Sequence, residues 1–378
     1  MNDDPQYFAR VTAGLEQVAW AEIERRAGGQ LAGLGHRRVD FSYAGAPAAL
    51  LDLRAVDDVY VHVAWLTGLD HTRASLGRLT GKLAEVDFAP ALDIIASARE
   101  LGPQPTYRVT ASHLGRRNYS RYDVESAVAA ALTGKLPWRF VLNAPDEDAT
   151  DLDLRVLLED DWALIGLRLG AAPLHRRAYK VASRTGSLKA PVAYCLCVLA
   201  GVGPADIVLD PACGAGTLLA EAASLATRGM LVGGDIDEGA LGLAQANLGA
   251  LGLGARVVAP SELGALAQLA RGGDRPVALL YHGDATSVPL ADRTVGAVVS
   301  NLPWGQQVEV AADLAELYAG MLQAIERALA PGGRAALLTD QAETLLAALA
   351  ACPALRLDSS LQISLFGRHP TIYTIQKS

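Results

Sequence analysis

The residues best equipped for chemistry lie in two short segments of the C-terminal half. The first, Asp210-Pro211-Ala212-Cys213-Gly214-Ala215-Gly216-Thr217, follows the apolar run Ile207-Val208-Leu209. The second, Ser300-Asn301-Leu302-Pro303-Trp304-Gly305, follows Ala297-Val298-Val299. Each reads as a strand end opening into a tight turn, and open parallel sheets bind ligands at the carboxyl ends of their strands. The Gly-x-Gly pair lets the backbone approach a ligand closely and opens onto a helix N-terminus. It departs from a dinucleotide fingerprint, because an acid, Asp210, precedes it and the third glycine position is displaced. An acid there suits a ligand with an ammonium group better than a pyrophosphate. S-adenosylmethionine carries that ammonium, a ribose and no phosphate. Asp235, beside Ile236 at the next expected strand end, is placed to take the ribose hydroxyls. Asp284, beside Ala285 at a third, is placed to accept from the adenine amino group.

The second segment carries the equipment for methylating an exocyclic amine. Such amines are poor nucleophiles because their lone pair is delocalised into the ring. Two acceptors gripping the amino hydrogens localise it, and the Asn301 side-chain carbonyl and the Leu302 backbone carbonyl are the natural pair, with Pro303 fixing the turn. Trp304 offers a face for a flipped base. Plainer readings exist for each residue: Asp210 as a turn cap, Asp235 and Asp237 as solvated acids, Asp284 as an Asx-turn residue, and a Pro turn with a buried Trp. Three acids at three strand ends beside one such turn favour the chemical reading.

The elements that position these residues follow from pattern. From Val192 onward, strands alternate with helices. Strands are expected at Met230–Gly234, Val277–Tyr281, Val295–Ser300 and Arg334–Thr339, and helices at Thr217–Thr227, Glu238–Leu248 and Leu314–Leu329, the last stopped by Pro331-Gly332-Gly333. A terminal hairpin pairs Leu361–Leu365 with Thr371–Ile375. Residues 249–273, biased to Ala, Gly and Leu, read as a loop insertion. This is a doubly wound α/β domain with a mostly parallel sheet. Upstream, an α+β unit holds strands at Tyr7–Thr12, His36–Tyr43 and Val59–Leu66, a helix at Gly14–Arg26 and a short helical piece at Pro47–Asp52. A second unit holds a helix from Phe88 to Glu100, strands at Tyr107–Ala111, Asp151–Leu158 and Ala163–Leu169, and a helix at Asp123–Thr133 capped by Asp123. A turn at Ala144-Pro145-Asp146-Glu147-Asp148 separates pieces of the latter.

Of 378 residues, 51% are apolar and 20% charged, enough to build cores and unlike a disordered chain. No apolar run reaches membrane-span length, and the acidic start Met1-Asn2-Asp3-Asp4-Pro5 lacks the pattern of a signal peptide. Cys195, Cys197, Cys213 and Cys352 show neither zinc-ligand spacing nor a disulfide framework, so no metal is expected and a cytoplasmic, reduced protein is. The net charge of −8 argues against nucleic acid, but its distribution does not. Residues 165–205 contain no acid yet hold Arg168, Arg176, Arg177, Lys180, Arg184 and Lys189. Residues 101–122 again contain no acid and hold Arg108, Arg116, Arg117 and Arg121. Two such stretches in an acidic chain read as a phosphate-binding face or, with equal weight, as solvated surface.

The two turns resemble those of the class I amino-methyltransferases, with their Asp-Pro-x-Cys-Gly-x-Gly-Thr loop and Asn-Pro-Pro-Tyr-type turn. A closer resemblance covers the whole chain. Leu174 to Lys180 and Ser187-Leu188-Lys189-Ala190-Pro191 are similar to the junction of THUMP-domain RNA guanine-N2 methyltransferases. Tyr7 to Glu22 looks like the start of their ferredoxin-like domain, and Tyr107 to Arg117 is similar to the THUMP core. The resemblance implies a ferredoxin-like domain over residues 1–70, a THUMP domain over 71–170, a basic linker over 171–190, and a Rossmann-like, doubly wound, seven-stranded methyltransferase domain over 191–378. It also implies binding of a tRNA 3′ end and methylation in the acceptor stem, with guanosine 6 favoured. Leu302 and Trp304 depart from the Pro and Tyr of the family turn, Gly296 stands where an acid often precedes the strand, and the segment before Val277 is atypical. Alternatives are an rRNA guanine-N2 methyltransferase, a catalytically silent RNA-binding scaffold, and an NAD-dependent enzyme using the Gly loop.

Overall fold

The computed structural model describes residues 4–142, 146, 149–269, 274–304 and 314–378. Of the turn expected at 144–148 only Asp146 is among them, and Gly305 lies outside them. The chain forms two compact units, Met1–Val11 with Ala19–His175, and Thr12–Val18 with Arg176–Ser378. Among the described residues no helix is long and apolar enough to cross a membrane.

The first unit contains β1 (Gln6–Arg10), α1 (Glu16–Ala27, whose first residues group with the second unit), β2 (Gln30–Gly35), β3 (Arg38–Ser42), β4 (Asp58–Thr67), α2 (Ala74–Glu85), α3 (Ala89–Ala98), β5 (Thr106–His113), α4 (Arg121–Leu132), β6 (Arg139–Phe140), β7 (Leu152–Glu159) and β8 (Trp162–Arg168). All eight strands share one sheet of order β2-β3-β1-β4-β8-β7-β5-β6. The strand expected at His36–Tyr43 is β3, and β2, which was not expected, pairs with it in a hairpin turned at His36 and Arg37, whose φ is 56°. On β5, Tyr107, Val109 and Ala111 are buried while the residues between them are less so, the alternation of a half-covered strand. Within the sheet, Arg168 meets Asp58 at 2.7 Å and also Asp153. Burial pushes the Asp58 carboxyl up to about 7. Helix α4 is capped by Ser120, not Asp123: the Ser120 side chain accepts from the Asp123 amide, and Asp123 reaches back to complete a capping box.

The second unit contains α5 (Ala190–Leu199), β9 (Ile207–Asp210), α6 (Thr217–Ala222), β10 (Met230–Asp235), α7 (Glu238–Ala250), β11 (Arg256–Val257), α8 (Pro260–Leu269), β12 (Val277–His282), β13 (Val295–Asn301), α9 (Leu314–Ala328), β14 (Leu329–Thr339), α10 (Ala342–Ala350), β15 (Leu355–Gln362) and β16 (Thr371–Lys377). Its sheet runs β11-β12-β10-β9-β13-β14-β16-β15, parallel except for antiparallel β16. This is the Rossmann-like doubly wound fold. Beyond the seven strands expected, the two-residue β11 adds an edge. It and α8 occupy the segment read as a loop, where Leu263 and Ala267 join the core. Pro331-Gly332-Gly333 does not end a helix before a strand but forms an irregular stretch inside β14, whose regular pairing with β13 begins at Arg334.

The chain runs from β9 outward to β10 and β12, then returns to place β13 on the other side of β9. The crevice at that reversal is where doubly wound sheets bind ligands. Val208 and Leu209 pair in parallel with Ala297 and Val298, so both motifs emerge at the same carboxyl edge.

Candidate active site

At this edge the backbone conformation demands glycine. Gly214 and Gly216 have φ of 53° and 73°, the left-handed region where a side chain is strained. A Cβ on Gly216 would stand 3.0 Å from that of Ala244. The loop is tied to the next strand, since the Gly214 amide donates to Asp235 Oδ2 at 2.8 Å. Asp235 Oδ1 accepts from the Asp237 amide at 3.0 Å, and Asp237 caps α7 while pairing with Arg184 at 3.0 Å. Pro211 and Thr217 are buried at the two ends of the loop, with Cys213 beside them at 6% exposure. Burial drives the Cys213 thiol well above its ordinary value, so it is a packing group and not a nucleophile.

Asp210 is 1% exposed and accepts from Ser300 Oγ at 2.9 Å and from the Ala212 amide at 3.2 Å. Burial raises its carboxyl to about 7 in spite of those two donors, and the charge of Asp235 adds to the rise. Next to Ser300, the Asn301 Nδ2 donates to Gly186 O at 3.3 Å. That bond fixes the amide, and its Oδ1 is buried with no hydrogen-bond partner among the described residues. An acceptor held out of water without a donor costs stability, and a site that binds an N–H repays it. Leu302 is 3% exposed and its amide donates to Leu338 O at 3.0 Å. The Pro303 carbonyl accepts from Tyr318 Oη at 2.8 Å, and that hydroxyl also meets Thr339 Oγ1 at 2.7 Å. Tyr318 thus clamps the turn from α9, a role that an aromatic in a helical run does not announce.

Trp304 does not present the open face expected of it. It is 6% exposed, the Arg368 guanidinium sits 5.8 Å from its ring centroid, and Arg368 pairs with Asp340 at 3.2 Å. Asp284 takes up an Asx turn, its Oδ1 accepting from the Thr286 amide and hydroxyl, each at 2.8 Å. It is exposed, and its Oδ2 meets no donor among the described residues. Ala285 is half-buried against the core, and Ile236 is 72% exposed beside Asp235.

This donor set fits S-adenosylmethionine. A buried carboxyl with a raised pKa suits an ammonium, whose charge favours the carboxylate, Asp235 has acceptor capacity left for ribose hydroxyls, and Ile236 next to it is an exposed apolar surface. Among the described residues no group of three or more His, Cys, Asp or Glu is arranged to hold a metal ion.

The basic residues divide. Arg177 Nε pairs with Glu221 at 3.2 Å, and Tyr179 Oη donates to the same fully buried carboxylate at 2.7 Å. Lys180 Nζ donates to Leu188 O at 2.6 Å. Arg117 spends its guanidinium on the carbonyls of Leu69, Asp70 and Asp160 and on Tyr119 Oη. Arg108 donates to Asp146 O. Each of these four makes framework contacts, and Arg108 and Lys180 keep donors beyond the bond named for each. Arg116 and Arg176 are exposed, as are Arg121, stacked 4.7 Å from the Tyr122 ring, and Arg184. A basic cleft unsuspected from the charge runs lies in the first unit, with a volume of about 130 Å³ and walls that include Arg10, His36, Arg37, Arg38, Ser112 and His113. Arg155 reaches Ser112 Oγ there at 3.3 Å. Burial, together with the charges of Arg155 and Arg37, lowers the Arg10 guanidinium to about 9. Asp57 acts on Arg10 from beyond ion-pairing distance, while Asp40 and Glu159 are both engaged by Arg38.

Comparison with known proteins agrees with this geometry. Residues 177–360 match the family described as UPF0020, RMKL-like, methyltransferase domain. The chain is 30% identical over 279 residues to the tRNA (guanine(6)-N2)-methyltransferase of Thermus thermophilus, covering 74% of each protein. It is 27% identical over 238 residues to the U6 snRNA (guanine-N(2))-methyltransferase THUMPD2 of Bos taurus, covering 62% of this chain. The chain spans 41% of the length of that bovine relative and 39% of its Mus musculus counterpart. The crystal structure of TrmN from Thermus thermophilus matches with a TM-score of 0.78 at 28% identity, covering 99% of both chains. The chain belongs to the THUMP-domain class I RNA guanine-N2 methyltransferase family.

Proposed function

We propose that this protein methylates the N2 amine of a guanosine in RNA, using S-adenosylmethionine, and that the target is guanosine 6 in the tRNA acceptor stem. The observation that carries this reading is Asn301, whose carbonyl is buried, fixed by the Gly186 bond and without a donor among the described residues, next in sequence to the Ser300 that bonds the buried acid Asp210. Bound S-adenosylmethionine supplies an electrophilic methyl on a sulfonium sulfur. Asp210 holds its ammonium, Asp235 its ribose and Asp284 its adenine amine, with Pro211, Ala212, Cys213, Gly214, Gly216 and Thr217 shaping the loop and Ile236 and Ala285 the ring pocket. Asn301 Oδ1 and the Leu302 carbonyl accept the two amino hydrogens and so localise the nitrogen lone pair. No base acts before transfer, because the nitrogen becomes acidic only once alkylated. The rate enhancement is positioning and electrostatics.

The ferredoxin-like and THUMP portions, residues 1–70 and 71–170, grip the RNA through the Arg10 cleft and the exposed Arg116 and Arg121, with Arg176 and Arg184 contributing from the segment before α5. The reaction takes place in the cytoplasm, where tRNA is modified. The test is methyl transfer to unmodified tRNA, rRNA and U6-type snRNA transcripts, followed by mapping of the methylated nucleoside. Label as N2-methylguanosine at position 6 of tRNA is expected. Label only in rRNA or snRNA moves the target, and label in no RNA rejects the function. Calorimetric titration that detects NAD and not S-adenosylmethionine rejects the cofactor assignment.

A further inference from the structure

Burial of Trp304 leaves the catalytic turn without the aromatic face that a flipped base needs, and the turn joining β15 to β16 supplies one. Leu365 and Arg368 exchange backbone hydrogen bonds at 2.9 and 3.0 Å across the two-residue connection Phe366-Gly367. Both central residues have positive φ, 50° at Phe366 and 78° at Gly367. That is the geometry of a type I′ hairpin, where Asn or Asp belongs at the first position and Gly at the second. A phenylalanine there is strained, because its Cβ crowds the backbone in the left-handed region.

The strain is not recovered by packing. Phe366 is 70% exposed, whereas its neighbours Ile363 and Leu365 are 1% and 2% exposed. A lone exposed apolar side chain is ordinary on a protein surface. A bulky one on a left-handed backbone, where a polar residue would fold more stably, is not, and such violations gather at binding sites.

Its position is fixed from three directions. Thr371, where β16 begins, pairs with Thr339, where β14 ends, so the turn stands at the carboxyl edge that carries Asn301. Ser364 N donates to Ala13 O at 3.0 Å and Ile363 N to Pro370 O at 2.9 Å, holding the base of the hairpin. Arg368, two residues from Phe366, is anchored by Asp340 and lies against the Trp304 ring.

We propose that Phe366 is the stacking face for the unstacked guanine presented to Asn301, a subsite for a purine ring outside the cofactor loop. The proposal rests on the RNA methyltransferase reading. Stacking on an aromatic contributes sequence-tolerant affinity for an extruded base, and a rigid two-residue turn offers it without ordering a longer loop.

The test compares wild type with Phe366→Asn and Phe366→Trp, using an unmodified tRNA transcript with guanosine at position 6. Phe366→Asn is expected to raise Tm by a few degrees, because it relieves the turn, and to lower kcat/KM on the transcript at least about fivefold. Its S-adenosylmethionine affinity stays at the wild-type value. Phe366→Trp is expected to keep kcat/KM within about twofold of wild type. Equal rates for wild type and Phe366→Asn would overturn the subsite, and are what a protein-docking role for Phe366 would give. Equal losses in the Asn and Trp variants would also overturn it, since any aromatic should stack. A wild-type protein that labels no RNA would instead refute the underlying function.

Discussion

Ser300 Oγ donates to Asp210 Oδ1 at 2.9 Å across 90 residues of sequence, and both groups are fully buried. The bond joins the cofactor loop to the catalytic turn, so the side chain that precedes Asn301 also orients the acid assigned to the ammonium. Ser300→Ala leaves Asp210 with a single donor among the described residues, the Ala212 amide. The expected cost is about 1–3 kcal/mol of stability, with weaker S-adenosylmethionine binding. Denaturant titration and calorimetry check it; unchanged affinity would mean that the bond is packing only.

The same acid sets a pH dependence. A free aspartate ionises near 3.9, about the value of the unfolded chain, whereas burial puts folded Asp210 at about 7. Between those values the folded protein holds a proton that the unfolded chain has lost. The stability of the cofactor-free protein therefore falls as pH rises from about 4 to about 7 and levels off above. Asp58, raised for the same reason, adds a similar slope from the first unit. The difference between wild type and Asp210→Asn isolates the contribution of Asp210. Cofactor affinity moves oppositely, rising toward pH 7 as the carboxylate forms beside the ammonium, and the Asn variant should lose that rise.

Asn301→Ala removes an acceptor that makes no hydrogen bond among the described residues, so its expected stability cost is small, that of the Nδ2–Gly186 contact. Turnover should fall by about 10²–10³ if the amide grips the transition state. RNA affinity should stay near wild type. Normal methylation by this variant would reject the mechanism and leave a binding scaffold.

What could be read from sequence, and what could not, follows from where the information sits. The cofactor loop was legible because left-handed Gly214 and Gly216 leave a local signature, and β9 and β13 because short apolar runs end at polar turns. Helix α5 was not, since it is buried on nearly every side and carries no amphipathic period. Helices α2 and α10 also went unread. The framework role of Arg177 depends on Glu221, 44 residues away, and that of Arg117 on carbonyls 43 to 48 residues away. Charge runs record which residues are basic, whereas a guanidinium's partners are set by tertiary packing. Trp304 and Asp123 erred in the same way: each residue was placed in the right turn, and its neighbours took a different role from the one its type implied.

Arg177→Ala should accordingly behave as a core lesion. It removes an ion-pair partner of the fully buried Glu221 carboxylate, and removing one member of a buried pair costs about 3–5 kcal/mol. The salt dependence of RNA binding should be unchanged in whatever fraction folds. A reduced slope would return Arg177 to the phosphate path.

Arg155→Gln should do the reverse. Arg155 makes no ion pair among the described residues, donates to Ser112 in the wall of the basic cleft, and raises the cost of charge on Arg10. Its removal therefore costs little stability and relieves repulsion in the free protein. If a phosphate of the RNA occupies the cleft, the plot of log affinity against log salt should flatten by about 0.7–0.9, one phosphate contact, with affinity falling equally for all RNA sequences. Fluorescence anisotropy of a labelled tRNA over a salt series measures both quantities. A slope identical to wild type would remove the cleft from the RNA path and leave the exposed Arg116, Arg121, Arg176 and Arg184 to carry it.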